Sequence, residues 1–314
     1  MSRVRAWIDD TLWGAETAGR LFIVHVGLAV LIGARVALGS YRQLADTPDA
    51  LVEPVAMLRW VHSMPPVGVF LAIQVVGTVA AIAAVCRWRV RWTFAVAWFA
   101  YLVLAGLRGS RGKVLHNDLL LLWVSAPFLL APVVARWHGL ADLRQQVTRR
   151  ATGWPVRAAT AICALIYFYA GYNKLARSGL SWVTGDNMRY VMLWGPRVGS
   201  PVWGDLARWV GENIWVARGS AAFILGLELT FPIILFVRRL KGPYALATMF
   251  LHIGTWFLLG LDYWAWALTV PLVLIDWPAV ALRVAAFSAT RRERREVRGG
   301  EPAEQLGEGA AVGG

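Results

Sequence analysis

Runs of roughly 20 predominantly apolar residues recur along this chain, and a helix needs about that many to cross the hydrocarbon of a bilayer. Eight such runs can be marked, at 20–38, 67–86, 92–107, 116–135, 156–174, 214–237, 243–259 and 263–282. Lipid offers no partner to an exposed backbone amide or carbonyl, so each run has to be helical. The expected fold is therefore all-α, a polytopic transmembrane helix bundle of about eight spans. Composition agrees: 58% of the 314 residues are hydrophobic, 18 are Trp, only 16% are charged, and mean hydropathy is +0.51. A soluble domain of ordinary balance is excluded.

The net charge of +13 resides in short arginine clusters between the apolar runs, the pattern of topology determinants. It does not resemble a nucleic-acid-binding stripe, and no nucleic acid partner is expected. With the N-terminus inside, the inner segments hold 19 Lys and Arg, among them Arg3, Arg5, 87–91, Arg136, Arg144, Arg149, Arg150, Arg157, 238–241 and the tail. The outer segments hold 9, so the expected orientation is N-in and C-in, as for a multi-pass protein of the plasma membrane.

Residues 1–288 form the expected helical domain, with long outer loops at 39–66 and 175–213; 289–314 read as a polar, Gly-rich, disordered tail. The 175–213 loop is rich in Trp, Gly and Pro and reads as a structured interfacial cover with amphipathic turns. The N-terminus lacks a small-residue cleavage site, so the first span is expected to be retained. Cys86 and Cys163 lie far apart within apolar runs and offer neither a zinc spacing nor a disulfide framework.

Of 32 basic residues only Lys113, Lys174 and Lys241 are lysines. Lys174 stands out in YFYAGYNKLARSGLSW, at the outer end of the fifth run, behind Tyr167, Tyr169, Tyr172 and Asn173. A desolvated lysine can lose its proton and act as a base, which arginine cannot; the plainer role is an interfacial anchor that snorkels to the headgroups. His116, Asn117 and Asp118 open the fourth run and cannot all face lipid, although they could also cap that helix. His252 and Glu228 lie inside the seventh and sixth runs, where a carboxylate needs a partner or a proton. Ionisable groups in several runs point to a polar pocket between helices, and proton transfer is the chemistry they suit. His25, His62 and His138 do not make a helical metal spacing, and no metal is expected. Hydrolase, P-loop and Rossmann signatures do not occur in the sequence.

The stretch AGYNKLARSGLSWVTGDNMRYVM, followed two runs later by FLHIGTWF, resembles the horizontally transferred transmembrane domain family, which includes the membrane portion of vitamin K-dependent gamma-carboxylases. The resemblance covers most of residues 15–285. It implies that Lys174 is the base that deprotonates a reduced vitamin K (menaquinol) and that His116 assists, with His252 as the histidine of the later helix. Asn117, Asp118, Tyr172, Asn173, Trp182 and Glu228 would surround the substrate, with Trp182 and its loop as the cap.

In the carboxylases the deprotonated quinol reacts with oxygen, and the strong base so formed takes a proton from a glutamate side chain, which captures carbon dioxide. The carboxylases carry a large extramembrane domain after the helices, where this chain has a short polar tail. The resemblance therefore implies an isoprenoid-quinol pocket rather than the complete protein carboxylation. The expected partners are the lipid bilayer, the quinol and a peptide or partner protein. The other classes open to this sequence are a non-catalytic lipid- or peptide-binding membrane protein, such as an immunity or accessory subunit, and a proton-coupled transporter using Glu228 and His252.

Overall fold

The computed structural model describes residues 16–111, 116–133 and 153–299. Outside these lie Lys113, His138, Arg3, Arg5, Arg136, Arg144, Arg149, Arg150, the last residues of the expected fourth run and 300–314 of the expected tail. The described residues are helical, with no β-strand among them. Two compact units divide the chain, Met1–Ile275 and Asp276–Gly314.

In the first unit, α1 (Ala18–Leu38), α2 (Val67–Val85) and α3 (Val90–Gly109) pack on one another. Lipid is as apolar as a leucine side chain, so close packing rather than the hydrophobic effect joins such helices. Small residues supply the closeness. A Cβ at Gly33 would stand 2.9 Å from that of Ala81, and one at Gly77 would stand 2.7 Å from that of Ala100. The α2–α3 hairpin closes tightly, with Arg87 and Arg89 both at positive φ.

The fourth run is broken: a 3-10 turn at His116–Asp118 leads into α4 (Leu119–Ser125), and Pro127 begins a second 3-10 stretch, Ala126–Leu129. After it come α5 (Trp154–Ser178), the short α6 (Ser181–Thr184), α7 (Asn187–Val198) and α8 (Gly204–Glu212). Next are α9 (Ile214–Thr230), continued by 3-10 geometry over Phe231–Leu235, then α10 (Lys241–Leu259) and α11 (Trp264–Leu274). The second unit holds α12 (Trp277–Gly299), whose helix continues ten residues past Ala289, where the sequence pattern ends the apolar domain.

Five helical segments have the length and composition of membrane spans: Ala18–Leu38, Val67–Val85, Val90–Gly109, Ile214–Leu235 and Arg238–Leu259. The protein is thus a helical, multi-pass membrane protein. Helix α5 is long enough, at 25 residues, but Tyr167, Tyr169, Tyr172, Asn173 and Lys174 make its last turns polar.

A buried ionic cluster ties one end of the bundle together. Asp118 Oδ1 accepts from Arg35 Nε (3.0 Å), Arg35 Nη2 (2.5 Å) and the Tyr101 hydroxyl (2.8 Å), and Oδ2 accepts from Arg108 Nη1 (3.3 Å). Arg35 Nη1 also donates to Asp262 Oδ2 at 2.6 Å. These bonds fix α1, α3, the 116–118 turn and the α10–α11 loop in one register. Removing one member of such a buried cluster leaves an uncompensated charge, at a cost of roughly 3–5 kcal/mol.

Candidate functional site

Helix α5 is set against α9 through Gly171, where an added Cβ would come within 2.9 Å of Glu228 Cβ and 3.1 Å of Leu229 N. Only glycine lets the two backbones approach so closely. One turn along α5, Lys174 Nζ donates to both oxygens of Glu228, at 2.6 and 2.7 Å. Glu228 is 8% exposed and Lys174 23%. A lone carboxylate at that depth would lose its hydration without compensation; the ammonium supplies the missing partner. The face of Trp182, on α6, lies 5.4 Å from Lys174 Nζ, a cation-π distance.

The pair lies on the wall of a cavity of about 750 Å³. Around its polar end stand two matched hydrogen bonds of 2.6 Å: Tyr167 hydroxyl with His252 Nε2, and Tyr263 hydroxyl with His116 Nε2. The rings form one cluster. His252 stacks on Tyr263 with centroids 5.5 Å apart, and Trp266 meets both histidines, at 5.2 Å from His252 and 6.2 Å from His116. A hydrogen bond at one ring nitrogen governs the tautomer and so decides what the other nitrogen can offer.

Apart from the hydroxyls of Ser220 and Thr255, the latter turned back to Leu251 O at 2.8 Å, the rest of the lining is apolar. Helix α9 contributes Val216, Gly219, Phe223 and Ile224 at helical spacing, and α10 contributes Phe250, Leu251, Gly254 and Leu258. The Tyr244 hydroxyl bonds Thr230 Oγ1 at 2.7 Å and so ties the end of α9 to the first turn of α10. Phe223 and Phe250 are 55% and 66% exposed, and a Cβ on Gly219 or Gly254 would meet nothing within 4 Å. Both helices belong to segments with the length and composition of membrane spans.

Met188, Val191 and Met192 of α7 cover the other side. This cover is fastened to α10. Gly260 ends α10 at φ +66°, and an added Cβ would run into the backbone of Ser200; Trp203 N donates to Phe257 O at 2.9 Å.

Of the residues singled out in the sequence, Lys174, Glu228, His116, His252 and Trp182 share this cavity. Four do not line it. Asn117 donates to Asp262 O at 3.0 Å and lines a different cavity; Asp118 anchors the ionic cluster and makes no side-chain cap on α4. Tyr172 is 52% exposed, and Asn173 bonds back to Tyr169 O at 2.8 Å. Sequence reasoning passed over Arg35, Tyr263, Trp266 and the methionines of the cover. Arg35 did carry a signal, as an arginine inside an apolar run with an aspartate opening another. Tyr263 and Trp266 carried none, since tyrosine and tryptophan are ordinary at a span end.

The indole Nε1 of Trp182 is buried with no hydrogen-bond partner among the described residues, which leaves one donor on the wall unsatisfied. Chemically, the cavity offers a proton couple and two tyrosine-fixed imidazoles at one end of a largely apolar space. Compared with family models, characterised proteins and solved structures, the chain matches none of them.

Proposed function

We propose that the cavity binds an isoprenoid quinol, a reduced vitamin K of the menaquinol type, and that Lys174 acts with Glu228 to remove a proton from its hydroxyl. One observation carries this reading: Lys174 Nζ is held by both Glu228 oxygens, at 2.6 and 2.7 Å, on the wall of an apolar cavity that His116 and His252 also line. As a quinol head displaces water, the ion pair can relax to a neutral amine and a neutral acid, because a low-dielectric site penalises two separate charges. The amine then takes the hydroxyl proton. The ammonium so formed stays beside the quinolate oxygen, over the face of Trp182. The tyrosine-held histidines orient the ring and relay protons. The tail lies along Phe223, Phe250 and the glycine gap, where it meets lipid.

Oxygen is the co-reactant. Quinol and O₂ give quinone epoxide and water: one oxygen atom enters the ring and the other leaves with the two quinol protons. The protein would thus be a gamma-carboxylase-like membrane enzyme of the horizontally transferred transmembrane domain family, spanning the plasma membrane about eight times, N-in and C-in, with its site toward the extracytoplasmic side. The arginine asymmetry and the position of Lys174 near one end of α5 support that orientation.

The test is epoxide yield from purified protein in nanodiscs given menaquinol and oxygen. Wild type is expected to produce epoxide and Lys174→Ala to lose at least about 100-fold, the scale of a positioned general base. Equal yield from the variant refutes the assignment. A second reading, binding without turnover, draws on the same clamp, because Glu228 occupies two of the ammonium's donors. Tight quinol binding with no epoxide from either protein would select it.

A further inference from the structure

We propose that a second cavity, back to back with the first across the 116–118 turn, binds a phosphate-bearing anion. His116 and Tyr263 face the Lys174 cavity, whereas their chain neighbours Asn117 and Asp262 line this one, of about 320 Å³. Its charge comes from Arg35, Arg108 and Arg111, with the amides of Gln43 and Asn117 beside them.

Two of the guanidinium groups are held in place before any ligand arrives. Arg35 is fixed by Asp118 and Asp262 and lies 5.4 Å from the Trp264 ring; Arg108 is fixed by Asp118 and lies 4.4 Å from the Tyr41 ring. Tyr41 is itself buried, which pushes its hydroxyl up to about 12 and keeps it a neutral support for Arg108.

The carboxylates do not cancel this charge at the mouth. Asp118 is 4% exposed and takes four donors, and Asp262, 50% exposed, is engaged by Arg35 through Oδ2. Three cations against two anions leave the mouth positive. Arg111, Gln43 and Ser40 are exposed, and their side chains have no hydrogen-bond partner among the described residues.

Guanidinium and amide groups that line one cavity suit the oxygens of a phosphate better than a single carboxylate. An adjoining cavity of about 320 Å³ shares Gly39, Ser40 and Gln43 and adds Arg42, so there is room for a substituent on the phosphorus. Leu38, 78% exposed, stands at the lip. The phosphate could belong to a lipid headgroup or to a soluble ester, and the chemistry of recognition is the same for both.

Arg111→Gln and Gln43→Ala test the site, because both positions are exposed and neither supports the buried cluster. In one arm, nanodiscs of phosphatidylcholine are titrated with phosphatidylglycerol and the lipids retained are counted by native mass spectrometry. In the other, glycerol 3-phosphate is titrated calorimetrically into protein held in phosphatidylcholine alone.

The expected result is saturable binding in at least one arm, weakened about tenfold by Arg111→Gln, restored in part by Arg111→Lys, and weakened further by salt. Retention of phosphatidylglycerol alone assigns a lipid source, and glycerol 3-phosphate binding alone assigns a soluble one. Binding in neither arm, or binding that Arg111→Gln and Gln43→Ala leave unchanged, overturns the proposal. None of these outcomes depends on what the Lys174 cavity holds.

Discussion

The Lys174–Glu228 pair sets two buried groups against each other, and its energetics follow from burial. Removing one partner strands the other in an apolar wall, so Lys174→Met alone or Glu228→Leu alone is expected to destabilise the protein by about 3 kcal/mol. The double substitution removes both charges and is expected to recover most of that loss, read as the thermal midpoint in detergent. Additive losses in the double variant would mean that the two groups do not depend on each other. Both residues were visible in the sequence as anomalies, a rare lysine and a carboxylate inside an apolar run. Their pairing was not, because 54 positions separate them and only the packing at Gly171 brings α5 and α9 together. The 116–118 turn shows a second limit. In 3-10 geometry consecutive side chains leave the axis about 120° apart, so His116, Asn117 and Asp118 go to one cavity, a second cavity and the ionic cluster. The sequence pattern groups them; the turn separates them.

Among the elements, small residues decide where helices meet. Gly77→Leu is expected to force α2 away from Ala100 and Val36 and to lower stability by about 1–3 kcal/mol, as overpacking does. A midpoint within a degree of wild type would show that the α2–α3 contact tolerates bulk. Gly260→Ala combines an unfavourable φ with a backbone clash at Ser200 and is expected to loosen the cover over the cavity at a cost of about 1–3 kcal/mol. Faster hydrogen exchange across 187–203, with α1 to α3 unchanged, would be its signature; uniform exchange throughout would argue against a fastening role. The apolar runs were legible because lipid imposes both length and composition on a span. The break at Pro127 and the 3-10 continuation at Pro232 were less so, since proline is tolerated within spans where neighbours satisfy the freed backbone groups.

For the whole molecule, the chain reads as a helical bundle in which one end is consolidated by Arg35, Asp118 and Asp262, with a cavity on either side of the 116–118 turn. The ionic cluster sets the backbone from which both cavities are built, so a quinol site and an anion site would share one frame. The bundle class followed from hydropathy. The cavities did not, because they depend on which faces of α5, α9 and α10 are turned toward one another. The most direct test of the quinol proposal is photolabelling in nanodiscs with a menaquinol analogue carrying a diazirine on its first isoprene unit, followed by peptide mapping. Labels on 216–228 and 250–259 that excess menaquinol removes and that Gly254→Phe suppresses are the expected result. Labels spread over the lipid-facing sides of α2 and α3, indifferent to competitor and to Gly254→Phe, would contradict it.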